Sequence, residues 1–123
     1  MPFNIEFDNG ITRTTLHGVI VPDDVASILE QTFQYEANTG DVVKRLTLFG
    51  EVSDFQVKFT TLFPISVIRR NQILGKEVRS AFVASNPTEF GFTRMWQSLV
   101  EGPNLRCQIF ETLEEAELWL DQI

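Results

Sequence analysis

The chain has 123 residues and a mass of 14.1 kDa, which fits one domain spanning 1–123 and leaves little room for a second. Hydrophobic residues make up 43% and charged residues 22%, a globular balance that excludes disordered, collagenous and disulfide-scaffold classes. With 10 Lys and Arg against 17 Asp and Glu the formal charge is -7, so neither nucleic acid nor an anionic membrane surface is an expected partner.

In chain order, Phe3 to Phe7 alternates apolar and polar residues, and Asp8-Asn9-Gly10 supplies turn chemistry before a β-rich run from Ile11 to Val21. Together they predict a β-hairpin, because Asn-Gly reaches the positive φ of a tight turn at least cost. Pro22 occupies a first helical position with Asp23 and Asp24 at the positive end of the helix dipole, and Val25, Ile28, Leu29, Thr32 and Phe33 follow at helical spacing. Asn38 to Asp41 ends that helix. Lys44 to Phe49 reads as a short strand covered on both faces.

From Gly50 to Gly75 two patterns compete. Phe55, Val57 and Phe59 alternate like a strand, while Phe55, Phe59, Leu62 and Phe63 make a helical stripe. The expectation adopted is a helix from Ser53 or Asp54, interrupted or restarted at Pro64 and continuing towards Ile73, since proline lacks the amide hydrogen and crowds the preceding turn. Val78 to Ser85 is apolar at its centre, as an interior strand is. Asn86-Pro87-Thr88-Glu89 opens a helix whose Phe92, Met95, Trp96, Leu99 and Val100 form the strongest amphipathic stripe in the chain, stopped by Gly102 and Pro103. Leu105 to Phe110 is a half-buried strand, and Thr112-Leu113-Glu114-Glu115 is a capping box for a last helix with Leu113, Ala116, Trp119, Leu120 and Ile123 inward.

The order is thus five strands and four helices. It defines an α/β class with a mixed sheet: an N-terminal hairpin, then right-handed parallel crossovers. The single cysteine, Cys107, shares strand parity with Leu105 and Ile109 and is expected in the core. His17 is the one histidine, which excludes a multi-histidine metal site. The opening MPFNIEFDNG shows no signal-peptide pattern, and no apolar run approaches the ~18 residues of a membrane span, so a cytoplasmic location is expected.

The C-terminal half carries a resemblance. Ala81-Phe82-Val83-Ala84-Ser85, then Phe90-Gly91-Phe92-Thr93-Arg94-Met95-Trp96, Cys107-Gln108-Ile109-Phe110 and Glu114-Glu115-Ala116-Glu117-Leu118-Trp119-Leu120 resemble the SpoIIAA-like group of small bacterial proteins, relatives of the STAS and SEC14-like domains. That resemblance implies a five-stranded SpoIIAA/STAS-like domain acting through protein contacts, in some relatives switched by phosphorylation of a serine at the helix after the third strand, and in others binding nucleotides or lipids. At that junction this chain reads Phe49-Gly50-Glu51-Val52-Ser53-Asp54-Phe55, which makes Ser53 the positional counterpart, without the Ser-Ser-Gly signature of anti-sigma-factor antagonists.

Each candidate has two readings. Ser53 or Asp54 caps a helix, or Ser53 accepts a phosphate that the helix dipole would stabilise. Arg94, pointing away from the apolar stripe, pairs with Glu89 or Glu101, or binds an anion. Phe55, Phe59, Leu62, Phe63, Ile65 and Ile68 fill a core, or line a lipid-sized pocket or subunit interface. Glu114, Glu115 and Glu117 read as dipole-favourable surface charges rather than metal ligands, and the isolated glycines form no phosphate loop. No catalytic residue, metal or cofactor is expected. The sequence therefore points to a non-enzymatic binding or regulatory module acting through protein contacts around Ser53 to Ile68, with a homodimer among the options. The alternative is a carrier of a small apolar, lipid-like ligand.

Overall fold

A computed structural model describes residues 2–8, 10–37, 42–71, 76–102 and 104–122. The hairpin forms as its spacing predicts. Strands β1 (Phe3–Asp8) and β2 (Ile11–Ile20) pair antiparallel, and Gly10 takes a φ of 78°, the left-handed conformation the turn needs. Helix α1 (Pro22–Glu36) begins at the predicted proline, and the Val21 amide donates to Asp24 Oδ2 at 2.8 Å. The predicted stop from Asn38 to Asp41 lies outside the described residues.

Strand β3 (Val42–Phe55) corrects two expectations at once: it runs far beyond Phe49, and it absorbs Ser53 and Asp54, which the sequence reading assigned to a helix start. The reason lies in its neighbour. β2 continues to Ile20, and on each side of Gly18, where φ is 71°, β3 carries one extra residue, which shifts the register so that Val19 faces Asp54 and Ile20 faces Phe55. A partner strand of that length carries the pairing past Gly50, across the register shifts, as far as Phe55. At Gly50 a Cβ would stand 3.3 Å from the Leu16 carbonyl oxygen, so glycine permits the close approach.

Helix α2 (Phe59–Asn71) therefore starts late and passes through Pro64 without the expected interruption. Its start is fixed by Thr61, whose hydroxyl accepts from the Lys58 amide and donates to the Lys58 carbonyl, each at 2.9 Å. The predicted extension to Ile73 lies outside the described residues. Strand β4 (Glu77–Val83) is interior, as its composition predicts. Helix α3 (Pro87–Val100) is capped by Asn86, whose side chain accepts from the Glu89 amide at 2.9 Å. Strand β5 (Leu105–Phe110) leads to helix α4 (Leu113–Asp121), capped by Thr112. Among the described residues no helix is long and apolar enough to cross a membrane.

The sheet order is β1-β2-β3-β4-β5, antiparallel only in the hairpin. Two cores lie on its opposite faces. The larger collects Leu16, Val43, Val78, Phe82 and Leu105 from the strands with Leu29, Leu62, Phe92 and Trp96 from α1, α2 and α3. The smaller sets Leu46 and Ala81 against Ala116 and Leu120 of α4. Three helices thus cover one face and one helix the other.

Candidate functional site

The segment that sequence reading singled out is divided by the fold between core and surface. Phe55, at the end of β3, is half-buried and stacks on Phe92 with ring centroids 4.7 Å apart, while Phe49 meets both rings edge-on. On α2, Leu62, Ile65, Ser66 and Arg69 recur at helical spacing and are buried. The adjoining flank carries Phe59, Phe63 and Val67, each four residues from the next, while Ile68 lies about 100° further round the helix from Val67. These four side chains are 52%, 47%, 38% and 52% exposed. Phe59 and Phe63 touch each other, and the guanidinium of Arg70 lies 5.8 Å from the Phe63 ring centroid. Lys58 is exposed one residue before the helix. The ridge is therefore apolar along its length, with a cation at either end, on a chain whose net charge is -7.

The polar candidates do not assemble. Ser53 and Asp54 are exposed within β3 and cap no helix, so the helix-terminus setting that would favour a phosphate is absent at Ser53. Asp54 Oδ2 accepts from Gln56 Nε2 at 3.3 Å. Arg94 is exposed on α3 and pairs with neither predicted carboxylate. Glu89 Oε1 accepts from the Ser85 amide and hydroxyl, and Glu101 Oε2 accepts from the Cys107 amide. No hydrogen bond or ion pair joins Arg94 to Ser53 or Asp54 among the described residues.

His17 and Cys107 lie on β2 and β5, three strand spacings apart, or about 14 Å at ~4.8 Å per strand, too far for a nucleophile and base to share a proton. Cys107 is also buried. Burial, followed by the Glu101 carboxylate, pushes its thiol up to about 12.

Sequence reading missed a buried polar cluster under α1. Glu36 is fully buried, and its carboxylate takes a fork of bonds from Arg45, with Nη2 to Oε1 at 2.6 Å and Nε to Oε2 at 3.0 Å. Thr12 adds its hydroxyl at 3.3 Å. Arg69 lies in the same field. Burial, with the neighbouring Arg45 charge and against the pull of Glu36, lowers its pKa to about 10. A signal was present: Glu36 falls in phase with Val25, Leu29 and Thr32 on the buried stripe of α1, and Arg45 shares inward parity with Val43.

This architecture, a mixed five-stranded sheet with helices divided three to one, is the SpoIIAA-like fold. A SpoIIAA-like protein of the DUF3478 family from Shewanella loihica PV-4, itself uncharacterised, superposes with a TM-score of 0.61 at 14% identity, over 96% of this chain and 91% of that one. The unphosphorylated form of the anti-sigma factor antagonist SpoIIAA superposes with a TM-score of 0.58 at 15% identity, over 98% and 97%. By sequence, no family model and no curated protein matches the chain.

Proposed function

We propose that the protein is a non-enzymatic regulatory module that docks another protein on the exposed ridge of α2. The ridge carries this reading: Phe59, Phe63 and Val67 leave large apolar surfaces in water in one row, where a single scattered apolar residue would need no explanation. Its occupant is an amphipathic helix of a second protein, with apolar residues at four-residue spacing and acidic residues at both ends to meet Lys58 and Arg70. The likeness in fold to an anti-sigma factor antagonist agrees with a role in regulation.

The test uses two synthetic amphipathic helices with the same apolar face, one flanked by Glu and one by Lys, titrated by calorimetry. The Glu-flanked peptide is expected to bind, more weakly as salt rises, and the Lys-flanked peptide to bind at least tenfold more weakly. Phe63→Asp should abolish binding while leaving the circular dichroism spectrum unchanged, because that ring is half in solvent. Equal affinity for the two peptides, or an unaltered affinity in F63D, sinks the proposal. So does sedimentation showing a dimer that F63D dissociates, because the ridge would then be filled by a second copy of the chain.

A further inference from the structure

A cavity of about 70 Å³ lies on the larger-core face of the sheet, beneath α1 and α3, and none of the α2 ridge residues lines it. Its wall is divided by chemistry. Val25, Phe92 and Trp96 supply an apolar side, while Thr14, Arg45, Thr47 and Ser80 supply a polar one. Parallel register brings the polar four together: Thr14 pairs with Thr47 across β2 and β3, Arg45 pairs with Ser80 across β3 and β4, and Arg45 and Thr47 share a face of β3.

Among the described residues the hydroxyls of Thr14, Thr47 and Ser80 make no hydrogen bond within the protein; Thr14 and Ser80 are buried as residues and Thr47 is half-buried. By contrast, the neighbouring Thr12 and Thr32 hydroxyls are used, on Glu36 and on the Ile28 carbonyl. None of the three hydroxyl oxygens is sealed from solvent, so they stand at the pocket wall ready to bond whatever fills it, water or a guest with acceptor atoms. Arg45 spends Nε and Nη2 on Glu36, and a guanidinium has five donors, which leaves Nη1 for a second acceptor. Three hydroxyl donors and a guanidinium edge suit a group rich in acceptors. The opposite wall suits hydrocarbon. The volume is that of about two or three waters, or an organic molecule of roughly four to six heavy atoms, far below a lipid.

We infer that this cavity binds a small aliphatic carboxylate of about two to four carbons, its oxygens on Thr14, Thr47, Ser80 and Arg45 and its tail against Val25, Phe92 and Trp96. Such a ligand would sit between the sheet and the helices that cover it, so its occupancy would register in their packing.

The experiment is an amide NMR titration of the intact chain with sodium propionate, and in parallel with neutral propionamide and inorganic phosphate at constant ionic strength. Propionate should give saturable shifts at Thr14, Thr47 and Ser80, with propionamide at least tenfold weaker and phosphate without effect there. Thr47→Val keeps the side-chain shape and removes a hydroxyl; it should raise the propionate Kd at least fivefold, and Ser80→Ala supplies the same comparison if T47V does not fold. Non-saturating shifts mean that water alone fills the cavity, and they overturn the inference. Equal binding of propionamide, saturation by phosphate, or an unchanged Kd in both variants overturns it as well.

Discussion

On β5 the thiol of Cys107 lies between the sheet and α3, and that position sets a pH dependence. Its pKa is raised from 9.0 to about 12, first by burial and then by Glu101. Below pH 9 both folded and unfolded chains hold the proton, so the thiol leaves stability unchanged. Between 9 and 12 the unfolded chain releases it and the native one does not, so stability falls by about 1.4 kcal/mol per pH unit from this group. Urea unfolding from pH 8 to 11 should show that slope, and Cys107→Ala should remove it; parallel curves for the two proteins would contradict the assignment. Cys107 was legible from the alternation of Leu105, Cys107 and Ile109. The Glu36–Arg45 pair was legible only as two charges each in phase with apolar neighbours. Nothing in the sequence says that a carboxylate ending one helix meets a guanidinium nine residues later, because the intervening chain path decides the encounter.

Among the elements, the hairpin, α1, α3 and α4 follow from local chemistry: turn residues, caps and an amphipathic stripe that agree with one another. The stretch from Gly50 to Phe59 gave no such agreement, because Phe55, Val57 and Phe59 satisfy a period of two while Phe55, Phe59, Leu62 and Phe63 satisfy 3.6. The adjacent β2 resolves the conflict by pairing with β3 as far as Phe55, across the two register shifts that flank Gly18. Gly18→Ala isolates that device. Nothing lies within 4 Å of the added Cβ, so its cost is conformational alone, roughly 1–2 kcal/mol for an alanine at positive φ. Chemical denaturation should show that loss, with the largest change in amide exchange along Val52 to Phe55. A variant as stable as the parent would mean that the register shifts can slide to other residues.

At the scale of the molecule the sheet is one wall between two cores, and each face carries a tryptophan: Trp96 on the α3 side and Trp119 on the α4 side. Leu120 is fully buried in the smaller core, so Leu120→Ala should cost about 2–5 kcal/mol. If the faces unfold as one unit, fluorescence of Trp96 alone, in a Trp119→Phe background, should report the same lowered midpoint as Trp119 alone in Trp96→Phe. Two separated transitions would show that the faces melt independently. The sequence by itself determined the element order, the α/β class, the SpoIIAA-like likeness and the burial of Cys107, because periodicity, caps and turns are written within a few residues of one another. Only the tertiary structure decided that Ser53 lies in a strand, that Phe55 belongs to the core while Phe59 and Phe63 face solvent, and that Thr14, Arg45, Thr47 and Ser80 surround one cavity. Those outcomes depend on strand register and on which helix covers which face, and both are settled by partners distant in the chain.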